Sequence, residues 1–434
     1  MVVAMKKIIW LELNEVNIDF IQRYINNGYL PNFKNVIKKH SYKRTISENE
    51  FKNLEPWIQW VTVHTGKAYN EHKIYRLGDA ADQEMDQIWN VLEEKYKVSV
   101  AAISPMNAGN KTSQSDFFVP DPWTKTRFSG SWDLKLLYES IVAAVNNNAG
   151  GRFSLAALTK LIIGGVVNFR IKSIPLYVKY VINIKQGKWY KALILDTLLT
   201  DTFIKKWKRH QPDFSTLFLN AGAHIQHHYM FSSPVYEGGL KNPDGYIKKN
   251  KDPLLDVYEL YDHVLSEIIL STNARVMLVT GLSQKPNNRI VYYYRLKDHR
   301  NFIESLNLRV SSVEPRMSRD FLVRCKSDED LCLVQKTLVS MKSCDGESIF
   351  SVDNRGDSLF CMLSYTNEIK HDFKVYYDGG VIEDMSTMVV FVTIENGIHK
   401  TDGVLIDTGI EGTTEIQDIP LSDVYNITIS HFNS

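Results

Sequence analysis

Apolar and polar positions along this chain fall into blocks that change period. Lys7 to Leu13 is a short apolar run that ends among the polar residues Glu12, Asn14 and Glu15. Runs of that length read as buried parallel strands. Ile18 to Asn27 then follows a helical period, closed by Gly28, and Leu30-Pro31-Asn32 opens a second helix. Asp86 to Tyr96 is helical in pattern and Val98 to Ile103 reads as a strand. Phe214 to Leu219 and Arg275 to Thr280 read as two more strands, with a helical stretch, Leu254 to Ile269, between them. Strand–helix alternation of this kind predicts an α/β fold, a parallel-rich sheet sandwiched by helices.

Between about Trp123 and His210 the pattern changes. Leu134 to Val145, Leu155 to Val167, Ile174 to Ile184 and Trp189 to Leu199 are apolar and helical, in a stretch rich in Lys and Arg and poor in acids. Residues 123–210 are therefore expected to form a helical insertion or cap. Two readings suit it: a lid packed on the core, or a basic amphipathic face for peripheral membrane contact or a lipid substrate. Residues 285–369 alternate short strands with charged helices, as a smaller α+β insertion would. The core is then expected from 1–122, 211–284 and 370–434.

The chain has 434 residues, enough for one large α/β domain with an insertion or for two ordinary domains. Its 44% hydrophobic and 23% charged residues are those of a folded soluble protein. A formal net charge of +1 gives no reason to expect a nucleic-acid partner. Cys325, Cys332, Cys344 and Cys361 match no zinc-site spacing and are expected to be reduced, mostly buried thiols. The N-terminal apolar run meets Glu12 at once and has no small-residue cleavage site, and no window holds the roughly 18 uninterrupted apolar residues of a membrane helix. The expected location is cytoplasmic, with membrane association through 123–210 as the variant.

Chemistry gathers in five segments: IIWLELNEVN from Ile8, NLEPWIQWVTVHTGK from Asn53, FLNAGAHIQHHYM from Phe218, VMLVTGLSQ from Val276 and ENGIHKTDGVLIDTG from Glu395. In the last, His399 lies in a Gly-bounded turn before Asp402-Gly403 and the apolar run Val404-Leu405-Ile406. A turn at a strand mouth presents an imidazole to a metal or a phosphate with little obstruction. In the third, His224, His227 and His228 fall within five residues after a strand end. With these motifs in this order, the chain resembles the alkaline phosphatase superfamily, in particular its type I phosphodiesterase/nucleotide pyrophosphatase branch.

The resemblance implies an alkaline-phosphatase-like core and, residue by residue, one altered half of a two-metal centre. Glu12 takes the place of the family's strand-end aspartate, with Asn14 beside it. Asn220 and His224 hold the places of the family's Asp-x-x-x-His. His399 fits the zinc-binding histidine of Gly-x-His-x-x-Asp-Gly. Glu12, Asn14, Asn220, His224 and His399 are thus the metal candidates, for one divalent ion, zinc or manganese. The family's Ser-Asp-His-Gly is replaced by Gly281-Leu282-Ser283-Gln284, which removes both ligands of the second metal. Trp60, Thr62, Thr65 and Gly66 fit the tail of the nucleophile segment, but the nucleophile position is Pro56, and no hydroxyl residue lies between Glu48 and Trp60. Glu55, His227 and His228 are the candidate bases. His72 fits a turn that is mainly structural in the family, and Asp418-Ile419-Pro420 fits the start of its closing helix. A small phosphorylated substrate is implied, a phosphate ester or phosphodiester (a nucleotide-sugar or lipid-linked one among them), acted on by metal-assisted hydrolysis or group transfer. The rival readings are a non-catalytic phospho-ligand-binding protein and a glycosyl transferase on a rewired pocket.

Overall fold

The computed structural model describes residues 7–147, 155–316, 319–412 and 416–433. Every residue of the Ile8–Leu13 and Phe214–Leu219 strands is buried, as strands covered on both faces must be. They are central in an eight-stranded sheet, in the order Gln417–Pro420, His40–Ile46, Asp402–Glu411, Arg275–Val279, Ile8–Leu13, Phe214–Leu219, Val100–Ile103, Phe117–Val119. All pairings are parallel except the two made by Asp402–Glu411. That strand starts where its neighbours end, with Asp402 opposite Ile46. His399, just before it, therefore stands at the carboxyl edge of the parallel strands, where open α/β sheets place ligands. The fold is α/β, a mostly parallel sheet flanked by helices.

Side chains alternate along a strand, so Trp10 and Glu12 share one face of the sheet. On that face the Pro56–Thr65, Ile88–Tyr96 and Asp423–Asn433 helices close a core that includes Trp10, Trp60, Trp89 and Phe218. Trp60 meets Phe218 edge to face, with ring centres 5.4 Å apart. The Tyr190–His210, Ala221–Tyr229 and Pro253–Ser271 helices pack on one another in a second helical layer.

The described residues form two compact units. One comprises 7–142, 155–286, 397–412 and 416–433, and the other 143–147, 287–316 and 319–396. The second unit has its own core, in which Phe302, Phe321, Val334, Leu338 and Leu359 are buried around a four-stranded antiparallel sheet. Residues 370–396, grouped with the large core on sequence, belong to this second unit.

Local differences from the sequence reading have physical causes. The helix expected to stop at Leu199 runs on to His210, because Phe203, Ile204 and Trp207 continue its buried face, while Thr200 and Thr202 satisfy their hydroxyls on the carbonyls of Asp196 and Leu198. Asp418, Ile419 and Pro420 lie not on a helix but on the edge strand Gln417–Pro420, where a proline costs no central ladder bond; the helix begins at Asp423. His399 ends the Val389–Lys400 strand instead of lying in a turn. All four cysteines are free, but only Cys361 is buried, while Cys332 and Cys344 are exposed.

Candidate functional site

Asn14 and Glu15 follow the end of the first strand. Glu15 takes a left-handed backbone conformation, φ 58°, uncommon outside glycine. Its N–H donates to the Thr280 carbonyl at 3.1 Å, and Gln226 Nε2 donates to its carbonyl at 2.7 Å. Gln226 is held in turn by the Asn17 N–H and the Tyr258 hydroxyl, both on its Oε1. The turn is thus tied to the end of the Arg275–Val279 strand and to the Ala221–Tyr229 helix.

These bonds aim a buried carboxylate. Glu15 is 2% exposed. Its Oε2 accepts from Gln284 Nε2 at 2.6 Å and lies 3.1 Å from His227 Nε2 and 3.2 Å from His399 Nε2. Its Oε1 accepts from Asn14 Nδ2 at 3.1 Å. Burial pushes the Glu15 carboxyl up, but His399 and His227 together outweigh burial and hold it well below the usual carboxylate range.

The tautomer of His227 follows from its other contact. Its Nδ1 lies 2.8 Å from the Gly397 carbonyl, which can only accept, so Nδ1 carries the hydrogen. A neutral His227 then turns a bare Nε2 toward a carboxylate oxygen, an arrangement that calls for a proton or a cation between the two. Gly397 is a glycine because of crowding: a Cβ there would stand 2.2 Å from Gln284 Oε1 and 2.9 Å from the Gln226 carbonyl oxygen. On the far side of His399, Nδ1 faces Glu55 Oε2 at 3.7 Å.

Among the described residues, the acidic, histidine or cysteine side chains that bring three donor atoms within 4.8 Å of one another are Glu15, His227 and His399. One carboxylate and two imidazoles suit a first-row divalent cation. The 3.1 and 3.2 Å separations are close to the edge, about 3.3–3.6 Å, of a tetrahedron with metal–ligand bonds of about 2.0–2.2 Å. His227 and Glu15 have the hydrogen-bonded outer partners such sites use, Gly397 for His227 and Gln284 with Asn14 for Glu15, and the Glu55 carboxylate stands 3.7 Å behind His399. The residues present fit a metal ion.

The sequence-predicted residues fall in different places. His399 is in the cluster, and so is His227, expected as a base. Glu12 is not: it is fully buried under the sheet, 3.1 Å from His64 Nε2 and accepting from Thr216 Oγ1 at 2.7 Å. Asn14 spends its Oδ1 on Trp60 Nε1 (2.7 Å) and donates Nδ2 to Glu15 and, at 2.8 Å, to Asn220 Oδ1. Asn220 is therefore beside the cluster with its carbonyl oxygen engaged. His224 is exposed, its ring 5.0 Å from that of His228, which lies 6.2 Å from the ring of His227. Glu55 is the N-cap residue of the Pro56–Thr65 helix and backs His399. Thr62 is 4% exposed and bonds His72, whose Nδ1 accepts from the Ile74 N–H. Sequence reasoning missed Glu15 and Gln284. Two clefts, about 180 and 430 Å³, are both lined by Asn17, Asp19 and Lys400, and neither by the three clustered residues.

No family model matches the chain, and no curated protein matches it. Solved structures do. Phosphonoacetate hydrolase from Sinorhizobium meliloti 1021, in complex with phosphonoformate, is similar over 99% of this chain and 96% of that one, at 10% identity and a TM-score of 0.45. Murine ectonucleotide pyrophosphatase/phosphodiesterase 5 is similar over 98% and 95%, at 11% identity and a TM-score of 0.43. Wild-type alkaline phosphatase PafA is similar over 100% and 96%, at 12% identity and a TM-score of 0.47. These neighbours are members of the alkaline phosphatase superfamily, which the five sequence segments resemble. So distant a likeness carries no residue role, substrate or metal to this chain.

Gly397→Ala should displace Gln284 from Glu15 and cost about 1–3 kcal/mol, the usual range for overpacking, read as a lower urea midpoint. An unchanged midpoint would show that the crowding relaxes freely. A second outcome concerns Asp196, buried at the start of the Ala221–Tyr229 helix, where it accepts from the Ala221 N–H and the Tyr261 hydroxyl, each at 2.9 Å. Burial raises its pKa from 3.8 to about 6, against the pull of those donors. The folded state then binds this proton more tightly than the unfolded chain, so the contribution is full below pH 3.8 and is lost as pH rises through about 6. Asp196→Asn should remove up to about 3 kcal/mol of that pH dependence, measured by urea unfolding at pH 4 and pH 7. Identical pH profiles for wild type and variant would contradict it.

Proposed function

We propose that this protein is a metal-assisted hydrolase of phosphate esters or phosphodiesters, working with one divalent cation held by Glu15, His227 and His399. The observation that carries the reading is the convergence of those three side chains at the carboxyl edge of the sheet, each backed by a polar neighbour. The cation would polarise a phosphoryl oxygen and lower the pKa of a bound water. The chain's own residues divide the remaining work. Gly397 sets the His227 tautomer so that Nε2 faces the site. Glu55 orients His399, as a positioning residue and not a base. Gln284 and Asn14 hold the Glu15 carboxylate. His228 and the exposed His224, one turn apart on the same helix, are the imidazoles available to take a proton from an attacking water.

Direct attack by water, with no phospho-enzyme, follows from the nucleophile position. Pro56 opens the Pro56–Thr65 helix there, and the Thr62 hydroxyl is committed to His72 inside the core. The similar phosphonoacetate hydrolase was solved with phosphonoformate and with phosphonoacetate, and the similar phosphodiesterase 5 with AMP. Small phosphorylated molecules of those kinds make the first substrate panel.

Purified protein should bind zinc or manganese at one ion per chain, read by elemental analysis after dialysis. Activity on a panel of phosphomonoesters, phosphodiesters and phosphonates should depend on that ion. Glu15→Gln, His227→Ala and His399→Ala should each lower metal affinity and kcat about a hundredfold or more, and Glu55→Gln about ten- to a hundredfold in affinity. Thr62→Val should keep most activity. Two tightly bound ions, a phosphothreonine at Thr62, or metal binding that survives Glu15→Gln would refute the reading. Metal binding with no turnover on the whole panel would favour a phospho-ligand-binding protein.

A further inference from the structure

The helical stretch 155–191 holds a surface that the proposed chemistry does not use. Residues 140–195 contain eight Lys and Arg and no Asp or Glu, in a chain whose net charge is +1. Of the twenty large hydrophobic residues that stand exposed among the described residues, seven lie between 163 and 182. On the Ile174–Asn183 helix, Ile174, Val178, Val181 and Ile182 repeat at helical spacing, forming one stripe 43–69% exposed. Its opposite side is anchored: Ser173 Oγ and Tyr177 OH donate to Asp201 of the Tyr190–His210 helix at 2.6 and 3.0 Å, and Tyr180 is buried. The stripe therefore faces away from the protein. Ile171, 80% exposed, and Val166 continue the apolar surface around a 110° bend into the preceding helix. Lys172, Lys185 and Lys188 are exposed beside it. No single helix among the described residues is long and apolar enough to cross a membrane.

We propose that this bent helix pair docks on the surface of an anionic phospholipid bilayer, with the aliphatic stripe in the acyl–headgroup boundary and the lysines on lipid phosphates. Charge decides between occupants. A second copy of the chain would bring the same lysine-rich segment, which carries no acid of its own, against itself, because a two-fold contact pairs a patch with its own copy. An anionic bilayer supplies the opposite charge and an apolar layer together.

Flotation of the full chain with vesicles of phosphatidylcholine, with and without phosphatidylglycerol, tests this. Binding is expected only with phosphatidylglycerol and should weaken as salt rises. Val181→Glu/Ile182→Glu should lower vesicle affinity at least tenfold with circular dichroism and melting unchanged. Lys172→Glu/Lys185→Glu/Lys188→Glu, which leaves the apolar stripe intact, should lower it about a hundredfold, from about fivefold per basic residue. No flotation of the wild type, variants that bind as well as wild type, or a concentration-dependent dimer that Val181→Glu/Ile182→Glu abolishes without any vesicle binding would overturn the proposal.

Discussion

A carboxylate shut away from water must be surrounded by donors or cations, and the carboxyl edge of this sheet is organised around that requirement at Glu15. The chain of supports starts deep in the core. Trp60 Nε1 can only donate, so it fixes Asn14 with its oxygen toward the indole and its amide toward Glu15 and Asn220. Gln226 and Thr280 fix the left-handed backbone of Glu15, and Gln284 reaches its carboxylate through space that Gly397 leaves open. The two imidazoles complete the shell. The turn after the first strand, the Ala221–Tyr229 helix and the Val389–Lys400 strand each supply one member, and the bonds among them preorganise the cluster.

The fold was legible because its core strands are short, mostly apolar runs between helical patterns. Phe214–Leu219 appears in the structure with the bounds its apolar run predicts, and Ile8–Leu13 differs by one residue. The site was legible only in part. The family resemblance places a ligand at the strand end, which selects Glu12, yet strand parity puts Glu12 on the same face as Trp10, under a tryptophan-rich helix layer. Parity alone could have excluded it and pointed to the polar residues after the strand. Glu15 gives no stronger signal, since its left-handed conformation depends on Gln226 and Thr280, more than 200 residues away. On the third segment, the choice among His224, His227 and His228 depends on helix phase, set by a start at Ala221 that Asp196 and Tyr261 cap from other helices. Gln284 lies in a segment that reads as the loss of two metal ligands, and the hydrogen bond its amide donates to Glu15 has no sequence signature.

The same geometry explains the departures from the resembled pattern. Leu282 is fully buried, so the segment that would hold a second ion contributes packing instead. Glu55, beside the vacant nucleophile position, has its carboxylate toward His399. A residue read as a base is thereby recast as the outer partner of a histidine.

The most direct test of this account is an anomalous difference map from crystals of zinc-loaded protein, collected at the zinc edge. The account predicts one peak per chain, about 2.0–2.2 Å from a Glu15 carboxylate oxygen and from Nε2 of His227 and of His399. A peak coordinated by Glu12, or by His224 with Asn220, or two peaks in one site, would contradict it.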